Sequence, residues 1–141
     1  MTDTVSPAQR SRNMARVRSR NTAPEILVRR TLHRLGYRFR LHRKDLPGCP
    51  DVVLPKYCTV IFVHGCFWHG HECRRGRRPQ THTAFWNAKL DKNLARDAAH
   101  HKALTALGWS VLVVWECQTK DQAGLAGRLS AFLGSVGFDQ A

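Results

Sequence analysis

The sequence predicts a single α/β domain in which a mixed β-sheet is flanked by helices. Its 141 residues suit one domain with its own core. Hydrophobic residues make up 43% of the chain, which is enough for it to fold. Short apolar runs of the kind found in buried strands alternate with longer segments of helical period, and this alternation is typical of an α/β fold.

Two helices are predicted before any strand. The stretch SPAQ carries a capping box with proline at the first helical position, and an arginine-rich segment follows it. The sizeable apolar side chains of that segment are Met14 and Val17, too few for a face that packs on a core. We therefore assign residues 1–21 to a basic arm and residues 22–141 to the domain proper. The domain starts with a second capping box, TAPE, and a helix that Gly36 ends.

Four strands and two further helices are predicted next. The stretch YRFRLH alternates apolar and polar residues and predicts a half-exposed strand at residues 37–42. The runs DVVL and CTVIFV predict two paired buried strands, and WSVLVVW predicts another. A helical pattern at residues 84–107 predicts either one helix or two. The pattern at residues 125–136 predicts a closing helix. This order predicts a meander followed by a crossover helix to the last strand.

The charge of the chain points to a polyanionic partner. Lys and Arg number 23 against 10 Asp and Glu, a net charge of +13. Nucleic acid is the commonest such partner, and a basic surface without a ligand is the alternative. The sequence has no apolar stretch as long as a membrane span and no apolar signal core, so we expect an intracellular protein with reduced thiols. Its five cysteines then suit metal ligation and free thiols better than disulfides.

The stretch HGCFWHGHEC, residues 64–73, is rich in metal-ligating side chains. Cys66, His71 and Cys73 supply three ligands of the types that zinc prefers, and a structural zinc site needs four. Cys117 follows the last predicted strand, and it lies beside this stretch if that strand neighbours CTVIFV. We predict a structural zinc site of these four residues. The alternative is that Cys117 is a buried free thiol.

Two histidines and two carboxylates are the remaining candidates for chemistry. An imidazole at His64 or His69, on a loop held by metal, suits general base catalysis, and a core histidine is the alternative for each. Asp51 begins a buried strand, where an aspartate needs a partner or a metal. Glu25 lies in the second predicted helix, with capping as its alternative role.

The positions of these carboxylates suggest a nuclease. A PD pair at the start of a strand, with a glutamate in an earlier helix, is the layout of the PD-(D/E)xK nucleases, in which a divalent cation activates water. The segment FVHG occupies the place where that layout has an acid and a lysine. Histidine is therefore expected to take over the role of the lysine.

Six motifs follow one another across nearly the whole chain, in this order: RSRNM, TAPE, LPGCPD, VIFVHGCFWHGHEC, FWNAKLDKN and LGWSVLVVWEC. In this combination the chain resembles the very short patch repair (Vsr) family of DNA mismatch endonucleases. The resemblance implies a restriction-endonuclease-like fold and a bacterial cytoplasmic enzyme that nicks duplex DNA. The nick would lie 5′ to the T of a T:G mismatch, which deamination of 5-methylcytosine produces. Mg²⁺ would serve catalysis, and Zn²⁺ would be structural.

The resemblance also implies the roles of individual residues. Asp51 and the backbone carbonyl of Val63 would bind Mg²⁺, and His69 would act as general base on the attacking water. Glu25 and His64 would support the network of water and metal. The zinc ligands would be the four residues named above: Cys66, His71, Cys73 and Cys117.

Four groups of side chains would contact DNA. Aromatic rings would enter the duplex from the major groove beside the mismatch: Phe67, Trp68 and Trp86. Apolar side chains of the arm would wedge from the minor groove: Met14 and Val17. Polar side chains would read the mismatched pair: Lys89 and Asn93. Basic side chains of the arm would lie on phosphates: Arg12 and Arg16. A core position is the alternative for Trp86, because it and Phe85 cannot both face one core.

The resemblance has departures and leaves other functions open. Val63 stands where the family usually has Thr, Gly70 where it often has His, and Cys49 where it often has Arg. The implied partners of a monomeric enzyme are duplex DNA with a T:G mismatch, mismatch-repair proteins and a cytosine-5 DNA methyltransferase. One alternative is a restriction-type or less selective endonuclease on the same fold. Another is a zinc-bearing DNA-binding module without catalysis.

Overall fold

The computed structural model describes residues 22–135, which form three α-helices and four strands. The helices are α1 (Ala23–Arg34), α2 (Thr83–Ala106) and α3 (Gln122–Ser135). The strands are β1 (Arg40–Leu41), β2 (Val52–Leu54), β3 (Thr59–His64) and β4 (Ser110–Trp115). The predicted order of elements in this part of the chain is confirmed. The predicted arm and the last predicted helical residue lie outside the described residues, and with them Arg12, Met14, Arg16, Val17 and Val136.

The four strands form one mixed sheet in the order β1-β2-β3-β4. β1, β2 and β3 are antiparallel neighbours, whereas β4 runs parallel to β3. α2 lies between β3 and β4 in the chain and provides the crossover that a parallel pair requires. The register pairs His64 with Trp115, so both strands end at the same edge of the sheet. The loop after β3 and the turn after β4 therefore start side by side.

Helices cover both faces of the sheet. Successive residues of β3 point to opposite faces because a strand has a side-chain period of two. Ile61 packs in one buried core with Leu32 of α1 and Leu129 of α3. Phe62 packs in a second core with Leu104 of α2. The end of β3 is thus held from both sides, which makes it a firm support for the residues that follow.

The helix boundaries follow local sequence signals. The Thr22 hydroxyl accepts a hydrogen bond from the backbone N–H of Glu25 at 3.5 Å and caps α1. α2 runs unbroken for 24 residues, so the segment predicted as one helix or two is one. It ends before Gly108, whose φ of 97° lies in the left-handed region that glycine adopts without strain. Among the described helices none is long and apolar enough to cross a membrane.

The strand predicted at residues 37–42 was wrong in its extent. Only Arg40 and Leu41 form β1, because its one neighbour, β2, has three residues and offers few positions for pairing. Tyr37 and Phe39 pack against the core instead. The ring of Phe39 stacks on His33 at a centroid distance of 4.8 Å. The alternation in this stretch therefore reflects core packing more than strand pairing.

Candidate active site and metal clusters

A cleft of about 530 Å³ opens where the N-terminus of α1, the end of β3 and the middle of α2 meet. The loop after β3 contributes Phe67 and Trp68 to its wall. The cleft also contains two clusters of ionisable side chains, and their members are Glu25, His42, Asp51, His64, His69 and Asp97. Four of these six are the catalytic residues that the sequence predicted, and the fold brings all four together.

The carboxylate cluster consists of Glu25, His42 and Asp51, whose ligand atoms lie within 4.8 Å of one another. His42 Nε2 is 3.2 Å from Glu25 Oε1 and 3.9 Å from Asp51 Oδ1. Arg29 Nη2 donates to the same Glu25 oxygen at 3.0 Å. Carboxylate oxygens and an imidazole nitrogen at these separations are a donor set that a divalent cation accepts.

Asp51 is held in place by the backbone of β3. The N–H of Val63 donates to Asp51 Oδ2 at 2.7 Å. Burial raises the pKa of Asp51 to about 7, although the hydrogen bond from Val63 offsets part of the increase, and the charge of Glu25 raises it further. A cation between the two carboxylates would reverse this cost, because a nearby positive charge favours the ionised form. The residues present therefore fit a cation.

The histidine cluster consists of His64, His69 and Asp97. His69 Nδ1 is 2.5 Å from Asp97 Oδ2, and the rings of His64 and His69 stack with centroids 3.7 Å apart. Asp97 lies on α2, whereas both histidines lie at or after the end of β3. The hydrogen bond fixes the orientation of the His69 ring and leaves Nε2 as the nitrogen that can take a proton.

The charges in the histidine cluster follow from burial and contact. Burial, together with the neighbouring His69, lowers the pKa of His64 to about 4, so this imidazole is neutral at physiological pH. Burial alone would raise the pKa of Asp97, but the hydrogen bond with His69 and the charges of nearby basic groups outweigh it and lower the pKa. Asp97 is therefore ionised, and its charge can stabilise a proton gained by His69.

The cysteine cluster consists of Cys66, His71, Cys73 and Cys117, with ligand atoms within 4.8 Å of one another. Cys117 reaches it from the turn after β4, and its Sγ is 3.6 Å from His71 Nδ1. All five cysteines lie in the described part of the chain, and none forms a disulfide. Burial raises the pKa of the Cys66 thiol to about 12. A bound cation ionises such thiols and makes them ligands. Three sulfurs and one imidazole nitrogen at these separations therefore fit a metal ion.

The ring of Trp115 lies between the cysteine and histidine clusters. It stacks on the ring of His71 at a centroid distance of 4.2 Å and meets His64 edge-on at 5.3 Å. His64 in turn stacks on His69. The cysteine cluster is therefore in packing contact, through the rings of Trp115 and His64, with the histidine that is expected to act on water.

The sequence of the chain matches a known protein family. The sequence profile described as DNA mismatch endonuclease Vsr matches residues 2–75, more than half of the chain. The chain belongs to the Vsr family of DNA mismatch endonucleases. Type II nicking enzyme V.XorIIP from Xanthomonas oryzae pv. oryzae is 53% identical over 133 residues, which cover 94% of this chain and 98% of the relative.

Two further Vsr relatives match over most of their length. Type II nicking enzyme V.NmeAIP from Neisseria meningitidis is 43% identical over 136 residues, 96% of this chain and 97% of the relative. DNA mismatch endonuclease Vsr from Escherichia coli is 43% identical over 125 residues, 89% of this chain and 80% of the relative. The family predicted from the motifs is confirmed.

Of the aromatic residues predicted for this Vsr protein, Phe67 and Trp68 line the cleft, and Trp86 packs against both. The ring of Phe67 lies 5.0 Å from that of Trp68 and 5.3 Å from that of Trp86 at the start of α2. All three are half-buried and belong to neither hydrophobic core. The adjacent Phe85 is 61% exposed. Trp86 therefore does not occupy the core position that was its alternative.

The two α2 residues predicted to read the mismatch have different environments. Lys89 is exposed. The side-chain amide of Asn93 donates to the carbonyl of Trp68 at 2.9 Å, and its oxygen accepts a hydrogen bond from Arg96 at 2.7 Å. Asn93 therefore anchors the aromatic loop to α2 and retains one further amide hydrogen for another acceptor.

The departures from the usual Vsr pattern have local explanations. Val63 contacts Asp51 through its backbone N–H, which any residue except proline provides. Gly70 has a φ of 65°, and a Cβ atom there would lie 3.2 Å from the side chain of Leu94 on α2. Glycine at this position allows the loop to lie against α2.

Sequence reasoning missed His42 and Asp97. The strand pattern YRFRLH ends at His42, and no spacing motif connects this residue to Asp51. Asp97 lies in the middle of α2 and is 28 positions from its partner His69. One signal was available, because Asp97 is one of only 10 acidic residues in a basic chain and lies four residues after Asn93 on the same helix face.

Proposed function

We propose that this protein nicks duplex DNA 5′ to the T of a T:G mismatch and so starts very short patch repair. Membership of the Vsr family and the names of the relatives support the proposal. The observation that carries it is the cleft itself, in which a carboxylate cluster and a His–Asp pair face a wall of aromatic rings. The net charge of +13 suits a polyanionic substrate.

The carboxylate cluster and the cysteine cluster are proposed to hold different metals. Asp51, supported by Glu25 and with the backbone carbonyl of Val63, would hold Mg²⁺ on a PD-(D/E)xK-type framework. When bound, Mg²⁺ would activate water and neutralise charge on the phosphate. The cysteine cluster would hold structural Zn²⁺, because three sulfurs and one imidazole leave no open position for a substrate.

The protein's own groups would move the proton. His69 Nε2 would accept a proton from the attacking water, while Asp97 keeps the ring oriented and stabilises the imidazolium. His64 stacks on His69 and is neutral, so it would not repel that imidazolium. Glu25 would hold water in the network around the cation.

DNA contacts are proposed from the cleft wall and from the arm. The aromatic rings would open the base step beside the mismatch: Phe67, Trp68 and Trp86. A wobble pair is easier to unstack than a matched pair, which gives such rings a basis for discrimination. Lys89 and Asn93 would read the pair. The arm would contribute minor-groove and phosphate contacts through Met14, Val17, Arg12 and Arg16. Mismatch-repair proteins, a cytosine-5 methyltransferase, a cytoplasmic location and a monomeric state stay predictions from the resemblance.

Replacing His69 by alanine is expected to lower the single-turnover nicking rate by about 10²- to 10⁴-fold, the usual contribution of a general base. Asp97→Asn should cause a smaller loss, because the amide can still orient the ring but carries no charge. Rates on a T:G duplex at saturating enzyme measure both effects. His101→Ala, on an exposed position of α2, is the matched control. A His69→Ala enzyme with the wild-type rate would exclude His69 as the base.

Replacing Trp68 by alanine is expected to weaken binding to a T:G duplex by roughly 1–3 kcal/mol, the range measured for loss of one aromatic–base stack. Affinity for the matched duplex should change much less, because phosphate contacts dominate there. Competition binding with the two duplexes measures the difference. Equal weakening on both duplexes would show that Trp68 does not contribute to discrimination.

A panel of duplexes tests the proposed specificity. T:G, the other mismatches and the matched T:A and C:G sequences are placed in the same flanking bases and incubated with the protein and Mg²⁺. We expect nicking of the T:G duplex well above all others. Equal nicking of matched duplexes would support the restriction-type alternative. Binding without any nicking would support the non-catalytic DNA-binding module.

A further inference from the structure

We propose that His42 is an additional protein ligand of the cation at Asp51, within the cluster that Glu25 completes, so that this site accepts first-row transition-metal cations as well as Mg²⁺. The proposal rests on the proposed function, from which it takes the cation site. It adds a nitrogen ligand that none of the motifs identified. Imidazole is a poor ligand for Mg²⁺ and a good one for transition metals, so the added ligand changes which cations bind.

The distances in the carboxylate cluster match those around a single ion. Ligand atoms about 2.1 Å from an octahedral cation lie roughly 3 Å apart when they occupy neighbouring positions. His42 Nε2 is 3.2 Å from Glu25 Oε1 and 3.9 Å from Asp51 Oδ1. All three ligand atoms lie within 4.8 Å of one another, so small side-chain adjustments would place them around one ion.

The backbone of His42 directs its side chain into the cluster. His42 has a φ of 45°, a left-handed conformation that is unusual for residues other than glycine. Its N–H donates to the carbonyl of Asp51 at 3.4 Å, so the two cluster residues are joined through their backbones. The His42 side chain is 12% exposed and that of Glu25 is 6% exposed. The imidazole is therefore positioned inside the cleft and not on its rim.

A role for His42 as a simple counter-ion of Glu25 is less well supported. Arg29 already donates to Glu25 Oε1 at 3.0 Å, and its guanidinium is always charged. A second cation is thus not needed to neutralise this carboxylate. Asp51, by contrast, accepts its hydrogen bond from a backbone N–H, and an ion between it and His42 would give it a close positive partner.

Mn²⁺ is the probe for this ligand set. It is paramagnetic, and it stands at the weak end of the affinity order for divalent transition metals, so it does not displace zinc from thiolates. The 141-residue chain, loaded with zinc, is titrated with Mn²⁺ and followed by electron paramagnetic resonance. Pulsed measurements on the same samples detect hyperfine coupling to a directly bound imidazole nitrogen. Mg²⁺ competition then gives the relative affinity of the two cations.

The wild-type protein is expected to show nitrogen coupling at the tight Mn²⁺ site. His42→Gln should remove the coupling and weaken Mn²⁺ binding about 10- to 100-fold, the scale seen when the shell around a metal is damaged, with little effect on Mg²⁺. His42→Glu should recover affinity without the nitrogen coupling. His100→Gln is the matched control, because His100 lines the same cleft but belongs to neither histidine-containing cluster there.

Three outcomes would overturn the proposal or locate its failure. Unchanged coupling and affinity in His42→Gln would exclude His42 as a ligand. Loss of Mn²⁺ binding in Asp51→Asn, with no nitrogen coupling in the wild type, would reject the ligand but keep the cation site. Tight Mn²⁺ binding that survives Asp51→Asn would place the cation elsewhere, and then the metal assignment of the proposed function fails as well.

Discussion

Asp51→Asn is expected to reduce nicking by about 10³-fold or more while leaving DNA affinity largely unchanged. A metal ion contributes several kcal/mol to stabilising the charge of a phosphoryl transition state, and each increment of about 1.4 kcal/mol corresponds to a factor of ten. The amide of asparagine keeps the contact with the Val63 N–H but loses the charge that holds the cation. Single-turnover rates and binding isotherms on the same T:G duplex separate the two effects.

The same substitution is expected to stabilise the protein at alkaline pH. The folded-state pKa of Asp51 is about 7 and its ordinary value, taken for the unfolded chain, is 3.8, so ionising Asp51 opposes folding. The cost is absent below about pH 4, grows as the pH rises, and is complete above about pH 7, where it is on the order of 4 kcal/mol. The asparagine side chain carries no charge and avoids this cost.

Urea unfolding at about pH 4.5 and about pH 8, without added divalent cations, measures this effect. We expect Asp51→Asn to be more stable than the wild type by about 4 kcal/mol at the higher pH and by only about 1 kcal/mol at the lower one. Asp45→Asn is the matched control, because Asp45 is an exposed carboxylate paired with Arg43. If the variant is less stable than the wild type at the higher pH, then ionised Asp51 does not oppose folding in the absence of a cation.

Cys117→Ser is expected to release the metal of the cysteine cluster and to destabilise the domain. Loss of one sulfur should weaken zinc binding at least about 10- to 100-fold, which is roughly 1.4–2.8 kcal/mol of linked stability. The Cys117 sulfur also lies 3.6 Å from His71 Nδ1, so replacing it removes a side-chain contact between the turn after β4 and the loop after β3. Nicking should fall too, because His71 supports Trp115 and, through it, the histidine cluster.

Metal analysis after dialysis and thermal unfolding measure the effect of Cys117→Ser. Cys58→Ser is the matched control, because Cys58 is exposed and lies outside the cluster. The control should keep its zinc and its melting temperature. Full zinc content in Cys117→Ser would show that the fourth ligand is another residue.

Features set by neighbouring residues in the chain were predictable from the sequence. The Thr22 cap, the stop at Gly108 and the two buried strands around the PKY turn depend on local conformational preferences, and the structure contains all of them. The contact between Cys117 and the loop after β3 also could be predicted, because it needed only the assumption that two apolar strands are neighbours.

Features set by the approach of distant segments were not predictable in the same way. The position of Asp97 beside His69 depends on how α2 lies across the sheet, and no local pattern determines that angle. His42 reaches Glu25 because β1 ends after two residues and the chain enters the left-handed region. A longer strand, as the alternation suggested, would have placed this side chain differently.

The position of the nick and its dependence on the mismatch test the proposed function most directly. A duplex with one T:G pair, labelled separately on each strand, is incubated with excess enzyme and Mg²⁺ beside the matched duplex, and the products are resolved to single nucleotides. We expect one cut, in the T strand immediately 5′ to the mismatched T, which Asp51→Asn slows by about 10³-fold or more. Cutting of the matched duplex at the same rate, or cutting of the G strand, would contradict the proposed function.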